Sequence, residues 1–479
     1  MSAVFADAGR HGEGPLARLF AEATTLEQAG RFAEAETLLR QALQIAPEHP
    51  HAIHMMGIVA FRSGNEEEAC RLMERSIALS PNTGLYYRNI CAIYRALGRL
   101  EAARAAGLRA VSLTPEDPHA HTNLAIVHYD LLELDEAFAC CERALTLKPD
   151  YPEAHFEKAE IQLLRGDYEA GWEEYEWRFQ LPQAAGMLPK TEKPQWDGAP
   201  IAEGRLLLVA DQGFGDVIQF SRYIPWAATR CRELLIAGSS ELKPILSQFS
   251  ELRGIYNRWD EIPEYVAYCP LSSLPRLAGT RPETIPAPIP YLRADLARTA
   301  AWAARLNDLL PKGFFRVAIA WAGRPAHNND RNRSSSLPQW QAILATEGVA
   351  FLALQKGVAC KQVGEFFGDA ALYSLGPSVT DFADTMAILD CVDLVISVDT
   401  SLAHLAGAMG RPVWVMLPFA PDWRWLLQRT DTPWYPSMRL YRQRAPRDWE
   451  ELTARVAADL LRHVTEQEQA ESPQWKMSA

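Results

Sequence analysis

The sequence predicts an α + α/β chain, in which an all-α repeat array precedes a doubly wound α/β module. Prolines and small residues recur every 34 residues through the first part of the chain, and such a period is typical of a helical repeat. Residues 392–418 then read as strand, turn, helix and strand, the building unit of a doubly wound sheet. A third segment, 205–224, shows the same order of strand, turn and helix around two glycines.

The repeat array is expected over residues 14–183. Its periodic residues are Pro47, Pro81, Pro115 and Pro149, Ala35, Ala69, Ala103 and Ala137, and Ala23, Gly57, Cys91, Ala125 and Ala159. Proline ends each helical hairpin, and small side chains let paired helices approach, so this period is the tetratricopeptide signature. The full repeats are 14–47, 48–81, 82–115 and 116–149, and a partial fifth begins at Asp150. That last repeat carries large aromatic residues suited to docking on the next domain, which are Tyr151, Trp172, Tyr175 and Trp177.

Stacked repeats present a concave surface that commonly binds a peptide or a protein. Asn89 and Asn123 occupy equivalent inner-helix positions one repeat apart. Their amides are candidates for binding the backbone of an extended peptide. Met55 and Glu157 stand at the equivalent positions on either side, so ordinary solvated polar residues are the alternative interpretation.

The segment 392–418 predicts a phosphate-binding helix start. Leu394–Val398 is an apolar, β-branched run typical of a buried parallel strand. Asp399 and Thr400 follow it as helix-capping residue types, and Val413–Leu417 is the next strand. Free backbone N–H groups at Ser401 to Ala403 would attract phosphate at the strand ends. An ordinary capped helix between two strands is the alternative.

A second turn follows the predicted strand Arg205–Ala210 and includes Gln212, Gly213 and Gly215. Glycines at such a turn permit unusual backbone angles and close approach of a ligand. Asp216 would then lie at the start of the next helix, directed into the cleft. A capping aspartate is the alternative interpretation of this residue.

Two motifs resemble those of bacterial heptosyltransferase-like glycosyltransferases with the GT-B fold. They are DTSLAHL followed by AMGRP, and DQGFGDVIQFSRYIP upstream of it. Repeats that precede a GT-B module are similar to the arrangement in O-GlcNAc transferase and bacterial flagellin glycosyltransferases. The resemblance implies two Rossmann-like halves, an acceptor side at 201–292 and a nucleotide-sugar side at 293–447. It also implies a C-terminal helix at 448–467 that packs back on the first half.

The same resemblance gives residues their expected roles. Asp216 matches the candidate general base of these enzymes, and His404 matches a motif histidine near the donor. A packed helix histidine is the alternative for His404. The expected donor and phosphate ligands of this helix start are Asp399, Thr400, Ser401, Leu402 and His404.

Other candidates come from polar residues that follow predicted strands. Arg331 and Arg333 lie in a basic loop after the strand Arg316–Trp321, and a guanidinium binds phosphate in a bidentate manner. A solvated basic loop is the alternative. Gln355 and Lys356 end the strand Phe351–Leu354 as candidate base or ribose contacts. Arg424 follows a further strand and is a weaker candidate for the cleft.

Composition limits the class of protein. A net charge of −12 over 479 residues argues against non-specific binding to nucleic acid or anionic lipid. No apolar run approaches the roughly 20 residues of a membrane span, and residues 1–14 lack the pattern of a signal peptide. The eight cysteines show no CxxC pair, so a reducing cytoplasm is the expected location.

The predicted activity is transfer of a sugar from a nucleotide-sugar donor to a hydroxyl group, with inversion implied by the resemblance. No cofactor and no metal are expected, because the sequence has no D-x-D pair and a helix start with arginine supplies positive charge. The repeats are expected to recruit a protein acceptor, such as flagellin. One alternative is a non-catalytic adaptor with a degenerate GT-B module, and another is a transferase acting on lipopolysaccharide or another glycan. The sugar, the nucleotide, the acceptor and the oligomeric state stay open.

Overall fold

A computed structural model describes residues 14–286, 288–327, 329–366 and 368–471. The chain divides into two compact units. One contains the residues up to Ile161 together with Trp177–Gln183, and the other contains Gln162–Glu176 together with the residues from Ala184 onward. The expectation of no signal peptide depends on residues 1–13, which lie outside the described residues.

The first unit is a series of antiparallel helix pairs. Its helices are α1 (Pro15–Gln28), α2 (Phe32–Ile45), α3 (Pro50–Arg62), α4 (Glu66–Leu79), α5 (Gly84–Ala96), α6 (Leu100–Leu113), α7 (Pro118–Asp130), α8 (Leu134–Leu147) and most of α9 (Pro152–Arg165). The periodic alanines Ala35, Ala69, Ala103 and Ala137 are all fully buried. Because a buried alanine lets two helix backbones approach closely, the 34-residue period is confirmed as a tetratricopeptide array.

Asn89 and Asn123 are placed differently from either sequence-based interpretation. Both side chains are buried. The Asn89 amide donates to His54 Nε2 at 2.9 Å, and the Asn123 amide donates to the Arg88 carbonyl at 3.2 Å. Because these partners lie one repeat earlier, the two asparagines connect consecutive repeats, and the peptide-binding assignment is corrected to a packing role.

The second unit contains two fully parallel sheets. The strands are β1 (Ile201–Val209), β2 (Cys231–Ala237), β3 (Leu252–Tyr256), β4 (Ala267–Pro270), β5 (Phe315–Ala320), β6 (Val349–Ala353), β7 (Ala371–Ser374), β8 (Leu394–Val398), β9 (Val413–Leu417) and β10 (Met438–Arg442). The first sheet has the order β3-β2-β1-β4, and the second has the order β10-β9-β8-β5-β6-β7. Strand order therefore reverses between β1 and β4 and again between β5 and β8, and such reversal points open ligand crevices at the carboxyl ends of strands.

Helices of the second unit connect and cover these strands. They are α10 (Tyr168–Tyr175), α11 (Phe214–Phe220), α12 (Ile224–Ala228), α13 (Lys243–Leu246), α14 (Leu274–Leu277), α15 (Leu296–Leu309), α16 (Asp330–Arg333), α17 (Gln341–Leu344), α18 (Phe382–Leu389), α19 (Ser401–Ala408) and α20 (Trp449–Glu471). Across the described residues, no helix combines the length and apolar composition needed to cross a membrane.

The C-terminal helix α20 corrects one expectation. Its buried side chains Leu452, Val456 and Leu460 share a core with Val317 and Trp414 of the second sheet. The amphipathic face predicted from sequence is real, but its apolar partner is the second sheet. The expected packing back on the first half is therefore wrong.

The aromatic residues of the partial fifth repeat separate between the units. Trp177 stacks on His155 in the first unit, with ring centroids 3.8 Å apart. Trp172 and Tyr175 belong to α10 and are buried in the second unit, where the Trp172 indole donates to the Thr280 carbonyl at 3.0 Å. Helix α10 is therefore part of the compact unit that holds the sheets.

Candidate functional site

The site is built where the helix that follows β1 packs against the helix that follows β8. A Cβ added to Gly215 of α11 would lie 2.9 Å from Cδ2 of His404 in α19, a separation that real Cβ atoms essentially never show. Neither Gly213 nor Gly215 has a positive φ. The glycine at 215 is thus required for close approach of two protein helices, and not for unusual backbone angles as the sequence suggested.

Asp216 lies in the first turn of α11 and pairs with Arg424 across the two halves of the unit. The Arg424 guanidinium also donates to Gln219 Oε1 at 2.6 Å and to both carboxylate oxygens of Asp422 at 2.9 and 3.0 Å. Burial alone would lower the pKa of Arg424, but Asp422 and Asp216 outweigh it and hold that pKa well above its usual range. Arg424, a weaker candidate from sequence, is therefore the central cation of this cluster.

Asp399 and His404 form a second buried pair in the same region. The distance from His404 Nε2 to Asp399 Oδ1 is 3.7 Å, and His404 Nδ1 lies 3.0 Å from the Tyr435 hydroxyl. Burial favours a higher pKa for Asp399, yet hydrogen bonding and charge from His404, with the charge of Arg333, hold the pKa well below its usual range. Asp399 is therefore an anion at neutral pH, and both ring nitrogens of His404 face protein groups.

The start of α19 matches the predicted free N–H groups only in part, because the Ala403 N–H donates to the Thr400 carbonyl at 3.0 Å. Thr400 is the N-cap residue in extended conformation, but its side chain makes no capping bond to the helix. It lies instead 3.0 Å from Ser397 Oγ. The N–H groups at Ser401 and Leu402 have no intrahelical acceptor because they belong to the first turn. The phosphate site at this helix start stays a prediction.

The loop after β5 reaches the same cluster. Arg333 is mostly buried and contacts Asp330, and its guanidinium lies so close to Gly323 that a Cβ there would be 2.6 Å from Nη2. Arg331 lies half-buried in the same short helix α16. The charge of Arg333 acts on Asp399, so the basic loop faces the start of α19.

His327 in this loop was missed by the sequence analysis. Although its side chain is exposed, partial desolvation by the surrounding protein lowers its pKa, and Arg333 lowers it further. The carboxylates of Asp422, Asp399 and Asp216 act in the opposite direction, which places the ring within electrostatic reach of all three. The Asn329 N–H donates to His327 Nδ1 at 3.2 Å, so a neutral ring carries its proton on Nε2. The available signal was a histidine in the loop that follows β5.

Gln355 and Lys356 both hydrogen-bond to backbone groups of neighbouring loops. The Gln355 side chain accepts from the N–H groups of Trp321 and Ala322, each at 3.0 Å, and donates to the Ala322 carbonyl at 2.9 Å. The Lys356 ammonium donates to the Val379 carbonyl. The Gln355 side chain therefore holds the turn after β5, and a base or ribose contact from Lys356 stays a prediction.

The side chain of Gln212 is hydrogen-bonded to helix α10. Its side-chain amide donates to the Tyr175 hydroxyl at 3.1 Å. A cavity of about 270 Å³ lies beside this turn, at the carboxyl ends of β1, β2 and β3. Its lining includes Asp211, Tyr256 and Trp259, and Trp259 is half exposed. The cavity therefore offers aromatic and polar surface next to the Asp216 turn.

Comparison with known families matches both parts of the chain. Residues 26–93, 93–152 and 122–176 match the tetratricopeptide repeat, and residues 373–416 match glycosyltransferase family 9 (heptosyltransferase). The second match covers β8, α19 and most of β9, and it includes Asp399 in the turn after β8 and His404 in α19.

One curated protein is similar over most of the chain, and several solved structures are similar over about a third of it. Protein FlbA of Caulobacter vibrioides is 27% identical over 465 residues, covering 91% of this chain and 71% of that protein. Among solved structures, pilF of Pseudomonas aeruginosa covers 35% of this chain and 76% of its own, at 21% identity and a TM-score of 0.33. MamA of Desulfovibrio magneticus RS-1 covers 36% and 98%, at 16% identity and a TM-score of 0.31.

The family matches and the arrangement of the two units agree. Helical repeats occupy the first unit, and the second has parallel sheets with a family 9 segment at the reversal point of its larger sheet. The chain is therefore a tetratricopeptide-containing, glycosyltransferase-like protein.

Proposed function

We propose that this protein transfers a sugar from a nucleotide-sugar donor to a hydroxyl group, with inversion and without a metal ion. The observation that carries the proposal is the convergence of Asp216, Arg424 and the Asp399–His404 pair where α11 meets α19. A carboxylate on one side and the start of α19 with Arg333 on the other match the two needs of the reaction. These needs are a proton acceptor and stabilisation of a departing diphosphate.

In the proposed step, the acceptor oxygen forms a bond to the anomeric carbon while the bond from that carbon to the donor phosphate breaks. The nucleoside diphosphate leaves with the bonding electrons, and the acceptor proton moves to Asp216. Since Oδ1 of Asp216 accepts from Arg424, we assign proton transfer to Oδ2. A general base in this position contributes about 10²- to 10⁴-fold to the rate.

The donor phosphates are assigned to the N–H groups at Ser401 and Leu402, with Arg331 or Arg333 as the cationic partner. Backbone N–H groups at a helix start and a planar guanidinium both bind phosphate oxygens. The half-exposed Trp259 and the adjoining cavity provide a surface for the acceptor. The repeats recruit that acceptor as part of a protein, because stacked tetratricopeptide helices are suited to protein partners.

One observation favours a second candidate, a non-catalytic adaptor. Asp216 is already paired with Arg424, and an aspartate held in this way also serves as a structural link between the two halves. In that case the module binds a nucleotide or nothing, and the repeats alone carry the function.

The two candidates are separated by incubation with radiolabelled nucleotide sugars. We expect hydrolysis or transfer of one sugar, and a higher melting temperature with one of UDP, GDP, CMP or ADP. The variant Asp216→Asn should keep nucleotide binding and lose at least about 100-fold in transfer rate. Binding without turnover of any donor would favour the adaptor, and full transfer by a folded Asp216→Asn variant would overturn the base assignment.

A further inference from the structure

Helix α10 carries three aromatic side chains that are buried within the second unit. Tyr168, Trp172 and Tyr175 are each less than 5% exposed. The Trp423 ring lies among them, with its centroid 5.2 Å from that of Trp172 and 6.1 Å from that of Tyr175. Trp423 immediately precedes Arg424, so this aromatic cluster adjoins the cation that pairs with Asp216.

Tyr175 differs from its neighbours because its hydroxyl bonds to the turn that leads to Asp216 while its ring contacts Trp423. Its hydroxyl accepts from the Gln212 amide at 3.1 Å, in the turn that leads to Asp216. Its ring packs edge-on against Trp423 at an interplanar angle of 70°. The Arg424 guanidinium in turn lies 4.2 Å from the centroid of the Trp423 ring.

We infer that Tyr175 is a positioning residue that sets the alignment of Asp216 with Arg424. The inference rests on the proposed function and deepens it, since it assigns part of the catalytic geometry to the helix that connects the repeats to the sheets. One side chain fixes the Gln212 turn on the first sheet and the Trp423 ring on the second. Loss of the hydroxyl frees the turn while the ring packing remains.

Tyr168 supplies a matched control on the same helix. It is equally buried, its ring lies 6.2 Å from Trp423, and its hydroxyl accepts from the Trp434 indole at 3.1 Å. The Tyr168 hydroxyl thus bonds to Trp434 rather than to Gln212. Removal of the Tyr168 hydroxyl costs its bond from the Trp434 indole, whereas removal of the Tyr175 hydroxyl costs its hydrogen bonding with Gln212. Only the change at Tyr175 therefore loosens the turn that leads to Asp216.

The test compares Tyr175→Phe and Tyr168→Phe in the full-length protein. We expect Tyr175→Phe to lower kcat about 5- to 10-fold with donor KM within about twofold of wild type, as befits loss of one hydrogen bond. Tyr168→Phe should lower the melting temperature by a similar amount and leave kcat within about twofold. Equal losses of kcat in both variants, or none in Tyr175→Phe, would overturn the inference.

Amide hydrogen exchange provides a readout that does not depend on turnover. Peptides covering 206–220 should exchange faster in Tyr175→Phe than in wild type or Tyr168→Phe. If wild type turned over no donor, the proposed function would fail, and exchange alone would decide the positioning role. Unchanged exchange in this segment of Tyr175→Phe would refute that role whether or not the protein is a transferase.

Discussion

Gly215 and His404 lie in direct contact where the first-turn residues of α11 meet α19, with space for a hydrogen but not for a methyl group. This contact joins the helix that carries Asp216 to the helix that carries the family 9 motif. It explains the glycine by packing between two helices, since the backbone at 215 does not require one. Because Gly215 has no side chain, α11 and α19 can lie at the distance seen between the two candidate catalytic helices.

We expect Gly215→Ala to separate these helices and to cost about 1–3 kcal/mol in the free energy of unfolding, the usual penalty for an overpacked core. The transfer rate should fall by more than the loss of folded protein explains, because Asp216 moves with α11. Urea denaturation and donor turnover measure the two effects. Gly364→Ala is the control, since a Cβ there meets nothing within 4 Å, and equal behaviour of the two variants would contradict the packing role.

Arg424→Ala should destabilise the second unit by about 3 kcal/mol, because Asp216 and Asp422 lose their shared, buried cation. Arg424→Lys should give a smaller loss, since a lysine keeps the charge but not the forked set of donors. Thermal denaturation followed by circular dichroism provides the measurement. Arg429→Ala is the control because its partner Asp431 is exposed, and an exposed pair contributes about 0–1 kcal/mol. A wild-type melting temperature for Arg424→Ala would show that the cluster does not form.

Glu157 gives the repeat unit a pH dependence of its own. Burial raises the pKa of this carboxyl to about 7 from its ordinary value of 4.5. A group whose folded pKa is raised contributes stability below its unfolded pKa and loses it as the pH rises through the folded value. The contribution of Glu157 to the free energy of unfolding should therefore fall as the pH rises from about 4.5 to about 7.

The variant Glu157→Gln removes this titration. It should unfold at a higher urea concentration than wild type at pH 8, and the difference should be small at pH 4.5, where the native carboxyl is protonated. Glu22→Gln, at an exposed position of α1, should show no such pH-dependent gain. An equal rise in the urea concentration of unfolding at pH 4.5 and pH 8 would mean that native Glu157 is ionised at both pH values.

His327 is expected to act as a neutral hydrogen-bond donor through Nε2 at pH 7, since its pKa is lowered. His327→Gln keeps a donor and should retain most of the transfer rate, whereas His327→Ala should lose about 10-fold or more. Melting temperatures should stay near that of wild type because the side chain is exposed. Steady-state kinetics at pH 7 and 8 measure the effect. Equal transfer rates for wild type and His327→Ala would exclude a role for His327 in binding the nucleotide sugar.

The sequence predicted the elements whose physical signal is local. Leu394–Val398 and Val413–Leu417 were placed with their observed bounds, because each is a short apolar run between residues that cap or break a helix. Strand β7 was not predicted, since Ala371–Ser374 is partly exposed and has no clear alternation. Strands β3, β4 and β10 were not predicted either, although most residues of β4 and β10 are buried. Local patterns therefore located the strands with long apolar runs and missed the shorter or less regular ones.

What the sequence did not predict depends on long-range partners. An amphipathic pattern in α20 shows that the helix packs, but it does not name the sheet on which it packs. Periodicity placed Asn89 on an inner helix without showing that His54 of the preceding repeat covers it. The pairing of Asp216 with Arg424 joins residues more than 200 positions apart, and no spacing rule connects them.

Two truncations test whether the repeats deliver the acceptor and whether α10 belongs to the catalytic unit. A chain beginning at residue 151 keeps α9 and α10, and a chain beginning at residue 184 lacks both. We expect the longer chain to hydrolyse the nucleotide sugar at close to the full-length rate and to lose transfer to a protein acceptor. The shorter chain should lose donor hydrolysis as well, because Trp423 and Gln212 lose the side chains of Trp172 and Tyr175. Unchanged modification of a glycan acceptor by the longer chain would favour a glycan-directed transferase instead. Equal hydrolysis by the two chains would show that α10 is dispensable, since the cleft would then keep its geometry without these aromatic contacts.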